Sequence, residues 1–203
     1  MSMSIKENEG VLASAESDAT AGRIQEEIWV LQAQQGDEEA FGRLMDLYDR
    51  KLVYYLMRFT ASLEQALDVA QDVWISVFRG LKKLRNPSVF RAWLYQIAHA
   101  KVVTQVRKNV REEEILESFS AEQEQSLSSE EPISGDPELV RSALTALSRE
   151  HRAVLVLRFL ENMSLEEMAH VLQCQLGTVK SRLHYAKEAL RQQINIEAHH
   201  ETR

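Results

Sequence analysis

The sequence is poor in residues that turn a chain or cross-link it. Seven glycines and three prolines in 203 residues are too few turn-formers for a sandwich or barrel of many short strands. A single cysteine, Cys174, excludes an internal disulfide framework and any cysteine-cluster zinc site. No apolar run approaches the ~18 residues of a membrane-spanning helix, so no membrane insertion is expected. Met1–Gly10 lacks the basic-then-apolar order of a signal peptide. What is present, 44% hydrophobic and 27% charged residues, is the mixture of a folded, soluble chain. The expectation is a reducing, cytoplasmic, mostly helical protein.

The net charge of −7 argues against a polyanionic partner only as an average. Residues 1–40 hold two basic and nine acidic side chains, and 41–110 hold twelve basic and five acidic. Residues 111–138 hold one basic and ten acidic, and 139–203 nine basic and seven acidic. Between Val73 and Arg111 stand nine Lys or Arg and no Asp or Glu. A one-sign stretch sets up a local field able to hold a phosphate backbone despite an acidic total.

Residues 1–24 are polar, acidic and aperiodic, and read as a disordered tail. Helical period begins at Glu26. Over Glu38–Thr60, Phe41, Leu44, Met45, Tyr48, Leu52, Tyr55, Leu56 and Phe59 recur in steps of three and four, with Asp37 placed as N-cap. Ser62 and Gln65 match a capping box ahead of a stripe of Ala66, Val69, Ala70, Val73, Trp74, Val77 and Leu81. Asn86-Pro87 breaks the chain, Ser88 is placed to cap, and a fourth helix runs to about Arg111. These four helices predict one domain over 25–111. Glu112–Asp136, rich in Glu, Ser and Gln, reads as an acidic flexible linker. Pro137 suits the first turn of a new helix, and a second helical domain is expected over 137–195, followed by a tail over 196–203. With no strand-period segment, the fold class is all-α in two small domains.

The second domain carries the sharpest local signal. Ser164-Leu-Glu-Glu167 is a capping box, and Leu165, Met168, Ala169 and Leu172 form the inward stripe of a short helix. A turn at Gln173–Gly177 leads to a longer helix with Val179, Leu183, Ala186, Leu190 and Ile194 facing inward. This is a helix-turn-helix, which places the start of its second helix in a major groove. Thr178, Lys180, Ser181, Arg182, His184 and Tyr185 are left outward there, suited to phosphates and base edges. Cys174 reads as a small apolar residue in the turn, and no metal or cofactor site is expected.

At this point the residues resemble a known family. Leu147-Ser-Arg-Glu-His-Arg152, Val156-Leu-Arg158 and Met163-Ser-Leu-Glu-Glu-Met-Ala169 are similar to the C-terminal domain of bacterial sigma factors. Cys174-Gln-Leu-Gly-Thr-Val-Lys-Ser-Arg-Leu183 and Ala186-Lys-Glu-Ala-Leu190 continue the likeness. Asp68-Val-Ala-Gln-Asp-Val-Trp74 resembles the Asp-x-x-Gln-Glu motif of the N-terminal sigma core, and Phe90-Arg-Ala-Trp-Leu-Tyr-Gln-Ile-Ala98 its promoter-melting segment. Two such domains with no middle domain look like the extracytoplasmic-function (ECF) type of the sigma-70 superfamily. The resemblance covers about residues 25–195.

It implies a factor that confers promoter specificity on core RNA polymerase without catalysing a reaction. Asp68, Gln71, Asp72, Ile75 and Arg79 share the face of the third helix opposite its core stripe. In the family this face holds the β′ clamp helices, and the β flap is a further expected contact. The fourth helix would meet the minus-ten element, with Arg91, Lys101, Arg107 and Lys108 on the backbone and Tyr95, Gln96 and His99 toward the opened single strand. Phe90, Trp93 and Ile97 are expected in the core. Arg158, Thr178, Lys180, Ser181, Arg182, His184 and Tyr185 would meet the duplex at the minus-thirty-five element. The acidic linker would thread through the polymerase. An anti-sigma factor is a common partner in the family and is a further expected partner here. Three positions depart from the pattern: Ala100 stands where Asn is usual, Thr104 where Asp is common, and Tyr185 where a basic residue is frequent. Ala100 has no hydrogen-bonding side chain, which predicts weak or altered reading of the minus-ten element.

Two other functions fit parts of the sequence. A stand-alone helix-turn-helix regulator leaves the Asp68–Arg79 face and the basic fourth helix unexplained. A nucleic-acid hydrolase using Asp68 and Asp72 lacks a third ligand, a His pair and a Gly-rich phosphate loop.

Overall fold

The computed structural model describes residues 20–117 and 142–200, with side chains over 20–105 and 142–194. The expected tail before residue 20, the linker over 118–136, Pro137, the side chains of Arg107 and Lys108, and residues 201–203 lie outside it. Every regular element among the described residues is helical.

The first domain has four helices. Helix α1 covers 20–34, α2 Glu38–Leu56, α3 Leu63–Gly80 and α4 Phe90–Glu117. Short 3-10 turns at Leu81–Lys83 and Pro87–Val89 join α3 to α4. Residues 20–24, read from sequence as tail, are helical. Once Val30, Trp29 and Ala33 dock on the core, adding turns ahead of them costs little. The Asp37 carboxylate accepts from the Ala40 amide at 3.0 Å, fixing the start of α2. At α3, Ser62 Oγ accepts from the Gln65 amide at 3.2 Å, but Gln65 Oε1 reaches back to the Ala61 amide rather than to the cap's own. Ser88 lies inside the 3-10 turn that leads into α4, and Asn86 caps that turn: its Oδ1 accepts from both the amide and the hydroxyl of Ser88. Helix α4 continues six residues past Arg111, since Glu112–Glu114 are good helix formers and extend a helix already nucleated.

Tyr48, Leu52, Tyr55 and Leu56 from α2 pack with Val69, Val73, Trp74 and Val77 from α3 and Phe90, Leu94, Tyr95 and Ala98 from α4. Trp93 and Ile97 are half-buried rather than enclosed. A Cβ on Gly80 would lie 3.0 Å from the Trp93 ring, so the glycine lets the end of α3 close onto α4.

The second domain begins within the described residues with a helical turn, α5, at 142–145. It continues with α6 (Arg149–Leu155), a π-helical turn (Val156–Leu160), α7 (Leu165–Val171) and α8 (Leu176–His200). The Ser164–Glu167 capping box closes in both directions, at 3.1 and 2.8 Å. Gln173 takes φ 51° between α7 and α8, the left-handed step that ends one helix and redirects the next. Helix α8 runs beyond 195, where the sequence reading begins its tail, to His200. Val179 and Ala186 are fully buried, with Leu183 and Leu190 packed beside them. The two domains also share one hydrophobic cluster, which joins Tyr95 and Phe90 to Leu155, Met163 and Met168. The α7 helix lies against α4.

Candidate functional site

Three surfaces hold the residues singled out from sequence. The first is a groove of about 620 Å³ between α2 and α3. Asp68, Gln71, Asp72, Ile75 and Arg79 are all exposed on the outer face of α3. Phe41, Met45 and Trp74 line the floor, and Leu67, Ile75 and Phe78 the exposed apolar part of the wall. Phe78 is 66% exposed and Ile75 41%. Edge-on contacts of Phe41 with Trp74 and Phe78 hold the aromatic floor, and Asp49 fixes the Trp74 indole N–H at 2.8 Å. An aromatic, apolar centre with a charged rim is the anatomy of a protein-docking patch. Sequence reasoning found its polar rim and Ile75 but missed Phe41, Leu67 and Phe78. The recurrence of Leu67, Gln71, Ile75 and Phe78 on one face was the available signal.

The second surface is α4. Here the sequence-selected residues are engaged rather than open. Tyr95, expected to face a DNA strand, is fully buried, and its hydroxyl donates to the Glu161 carboxylate of the second domain. Arg91 donates to the Glu167 carboxylate at 2.8 Å and to the Glu161 carbonyl at 3.5 Å. Burial raises the Glu161 carboxyl above its ordinary range, opposed by the Tyr95 hydrogen bond and by Lys51 and Arg91. His99 is half-buried, with Nδ1 2.9 Å from the Tyr55 hydroxyl. Burial holds its imidazole below the usual histidine range. Lys101 lies 3.9 Å from Asp72 on α3, and Gln96 is half-buried. Ala100 is exposed, and the Thr104 hydroxyl donates to the Ala100 carbonyl at 2.8 Å.

The third surface is the start of α8. Lys180, Ser181, His184 and Tyr185 are exposed, and Thr178 and Arg182 half-exposed. Tyr185 stands 63% exposed with its ring edge against His184. Ser181 Oγ donates to the Thr178 carbonyl at 3.0 Å. Arg158 projects from the π turn, where one guanidinium nitrogen donates to the Met163 carbonyl at 2.8 Å. Cys174 is half-buried in the turn, its amide bonded to the Ala169 carbonyl. Among the described residues, no three of His, Cys, Asp and Glu gather as a metal site, and no helix is long and apolar enough to cross a membrane.

Two helical units in this order, the second ending in a helix-turn-helix, define a two-domain DNA-binding transcription factor. Residues 44–112 match the family model of sigma-70 region 2, and 143–192 that of sigma-70 region 4. The chain is 33% identical over 181 residues to the ECF RNA polymerase sigma-E factor of Escherichia coli K12, covering 83% of this chain and 93% of that one. A solved structure of CnrH in complex with the cytosolic domain of CnrY is similar at TM-score 0.64 and 25% identity, over 85% of this chain and 98% of that one. The sigma factor RpoE, solved with the anti-sigma factor NepR from Bartonella quintana, shares the fold at TM-score 0.67 and 24% identity, over 77% and 97%. The chain belongs to the ECF group of the sigma-70 family and functions as an RNA polymerase sigma factor in transcription initiation.

Proposed function

We propose that this sigma factor docks on the β′ clamp helices of core RNA polymerase through the α2–α3 groove. In the same reading it engages the minus-ten element with α4 and the minus-thirty-five element with the start of α8. The groove carries this reading: an exposed aromatic and aliphatic centre beside Asp68, Asp72 and Arg79 has no use in a protein that only binds DNA. A stand-alone regulator would leave it without an occupant.

The roles divide by chemistry. Arg182 and Lys180 pair with guanine edges or phosphates in a major groove, and Arg158 and His184 with the flanking backbone. On α4, Arg91, Lys101, Arg107 and Lys108 hold phosphates, and Gln96, Tyr95 and His99 meet unpaired bases. Opening the duplex costs about 1.4 kcal/mol per base-pair step, which capture of unstacked bases on polar and aromatic groups offsets. The chain supplies binding and no catalysis, and it works in the cytoplasm, at the nucleoid through the polymerase. A contact of the second domain with the β flap belongs to the same proposal. So does an anti-sigma factor, a partner of the kind solved with RpoE in a structure of similar fold.

The experiment is titration of fluorescently labelled protein with bacterial core RNA polymerase, followed by anisotropy. Saturable binding lost in Asp72→Arg, with helix content unchanged, is expected, since a reversed charge at the rim costs docking and spares the fold. Binding to active core enzyme that is absent, or that is unchanged in Asp72→Arg, would overturn docking through the groove.

A further inference from the structure

The helical period of α8 separates its cations from its centre line. Val179 and Ala186 are buried, with Leu183 and Leu190 packed beside them. At about 100° per residue, the line opposite that stripe runs through Gly177, Ser181, His184, Tyr185 and Glu188. Lys180 and Lys187 stand to one side of the line and Arg182 to the other. A major groove about 12 Å wide admits one helix. Side positions then reach the groove walls and the outer base pairs, and the line itself meets base edges. It holds no lysine or arginine, so it carries no donor fork for guanine.

The line rises in steps. Gly177 is helical and exposed, and a Cβ there would meet nothing within 4 Å. The fold does not need that glycine, whereas a backbone brought close against another molecule does. Ser181 follows, with its short hydroxyl turned to the Thr178 carbonyl at 3.0 Å. Two rings come next. Tyr185 is exposed and lies outside the apolar core, and it stands edge-on to His184 with 5.3 Å between centroids. Beyond them Glu188 is bonded to Arg191 at 2.9 Å. The contact with His184 restrains a ring that the fold does not otherwise use. In a major groove, the base feature that an apolar group recognises is the C5 methyl of thymine. We propose that Tyr185, steadied by His184, sets a base preference in the upstream promoter element by packing on a thymine methyl, at a place where arginine would select guanine. This rests on the assignment of the start of α8 to the minus-thirty-five element.

The test uses holoenzyme reconstituted from core RNA polymerase and the full chain. Promoters are recovered by binding from a library randomised over both elements, and sequenced. The wild type is expected to enrich thymine at one position of the upstream element. Tyr185→Phe should keep that thymine, Tyr185→Ala should lose it at that position alone, and Tyr185→Arg should replace it with guanine. Uracil in place of that thymine removes only the methyl. It should weaken wild-type binding about fourfold, the worth of one buried methyl group, and leave Tyr185→Ala unaffected. Thymine retained by Tyr185→Ala, or uracil bound as tightly as thymine, would overturn the proposal. So would loss of the preference in Tyr185→Phe, because the hydroxyl and not the ring would then read the base. His184→Ala should reduce the enrichment without moving it, and an unchanged enrichment would count against the steadying role. Ser181→Arg, in the middle of the same line, reports on the assignment of α8 itself. If it and the Tyr185 variants all select the wild-type sequence, α8 does not read this element. If it alters the sequence and Tyr185→Ala does not, the role of Tyr185 alone is refuted.

Discussion

Helices α4 and α8 carry similar sets of residues, each holding arginine, lysine, tyrosine and histidine, yet the structure treats them differently. On α8, Lys180, His184 and Tyr185 face solvent. On α4, Arg91 and Tyr95 are already occupied and His99 is half-buried. The difference teaches that residue type sets what a helix can bind, while the rest of the chain decides whether that face is free. A recognition helix reading duplex DNA needs only exposure. A helix that captures opened strands carries aromatic groups, and those are the groups that another part of the same chain can bury.

The two tyrosines give the widest contrast. Tyr95 is enclosed at the junction of both domains, with its ring edge against Tyr55, and Tyr95→Ala is expected to cost about 3–5 kcal/mol of folding stability. Tyr185→Ala, on the open surface, is expected to stay within about 0.5 kcal/mol of wild type. Urea denaturation of both variants measures the pair, and equal costs would erase the distinction between a covered and an open helix.

The arginines sharpen the same contrast in binding. Arg182→Ala should lose about 1–3 kcal/mol of promoter discrimination if it reads a base, with core-polymerase affinity unchanged, as measured by competition between promoter fragments. Arg91→Ala removes the ion pair to Glu167 together with the proposed promoter contact, and promoter affinity is expected to fall with core-polymerase affinity unchanged.

Much of this was legible in the sequence because it is local. The Ser164–Glu167 box, the Asp37 cap and the stripe from Ala66 to Val77 each follow from spacings of three or four residues, and each appears in the structure as expected. The exposed face of α3 followed by subtraction from its core stripe. The groove beside it was only half legible: Phe41 belongs to the inward stripe of α2, and its second use appears when α3 packs alongside. The contact between the two domains had no local signature, since Arg91 lies 70 and 76 residues from its two acceptors. Glu167 was read correctly as a capping residue, and the capping box does not reveal that its other oxygen takes a guanidinium.

That dual use of Glu167 can be separated from the cap itself. Ser164→Ala removes the hydroxyl that accepts from the Glu167 amide and should cost about 1 kcal/mol. Since the same box orients the carboxylate toward Arg91, the variant should also weaken the contact between α7 and α4. Urea denaturation should then show a somewhat larger loss than for Ser62→Ala, a cap in the first domain.

The smallest expected effect is a slope with pH. Burial keeps the His99 imidazole below the ordinary histidine value of about 6.5. Above that value it is neutral in folded and unfolded chains alike and adds no pH dependence. As pH falls below it, the unfolded chain takes up a proton that the folded chain resists. Stability is then lost, by at most about 1.4 kcal/mol per pH unit. Glu161 acts in the opposite sense at lower pH: its carboxyl is raised by burial, so the folded chain takes up its proton first and gains relative stability as pH falls toward the carboxylate range. The histidine contribution is isolated by comparing melting temperatures of wild type and His99→Gln between about pH 7 and pH 5.5. A glutamine there keeps a hydrogen-bonding partner for the Tyr55 hydroxyl without titrating, so the variant should show the shallower decline. Parallel declines would mean that His99 takes its proton inside the fold, and that α4 opens at this point more readily than its burial implies.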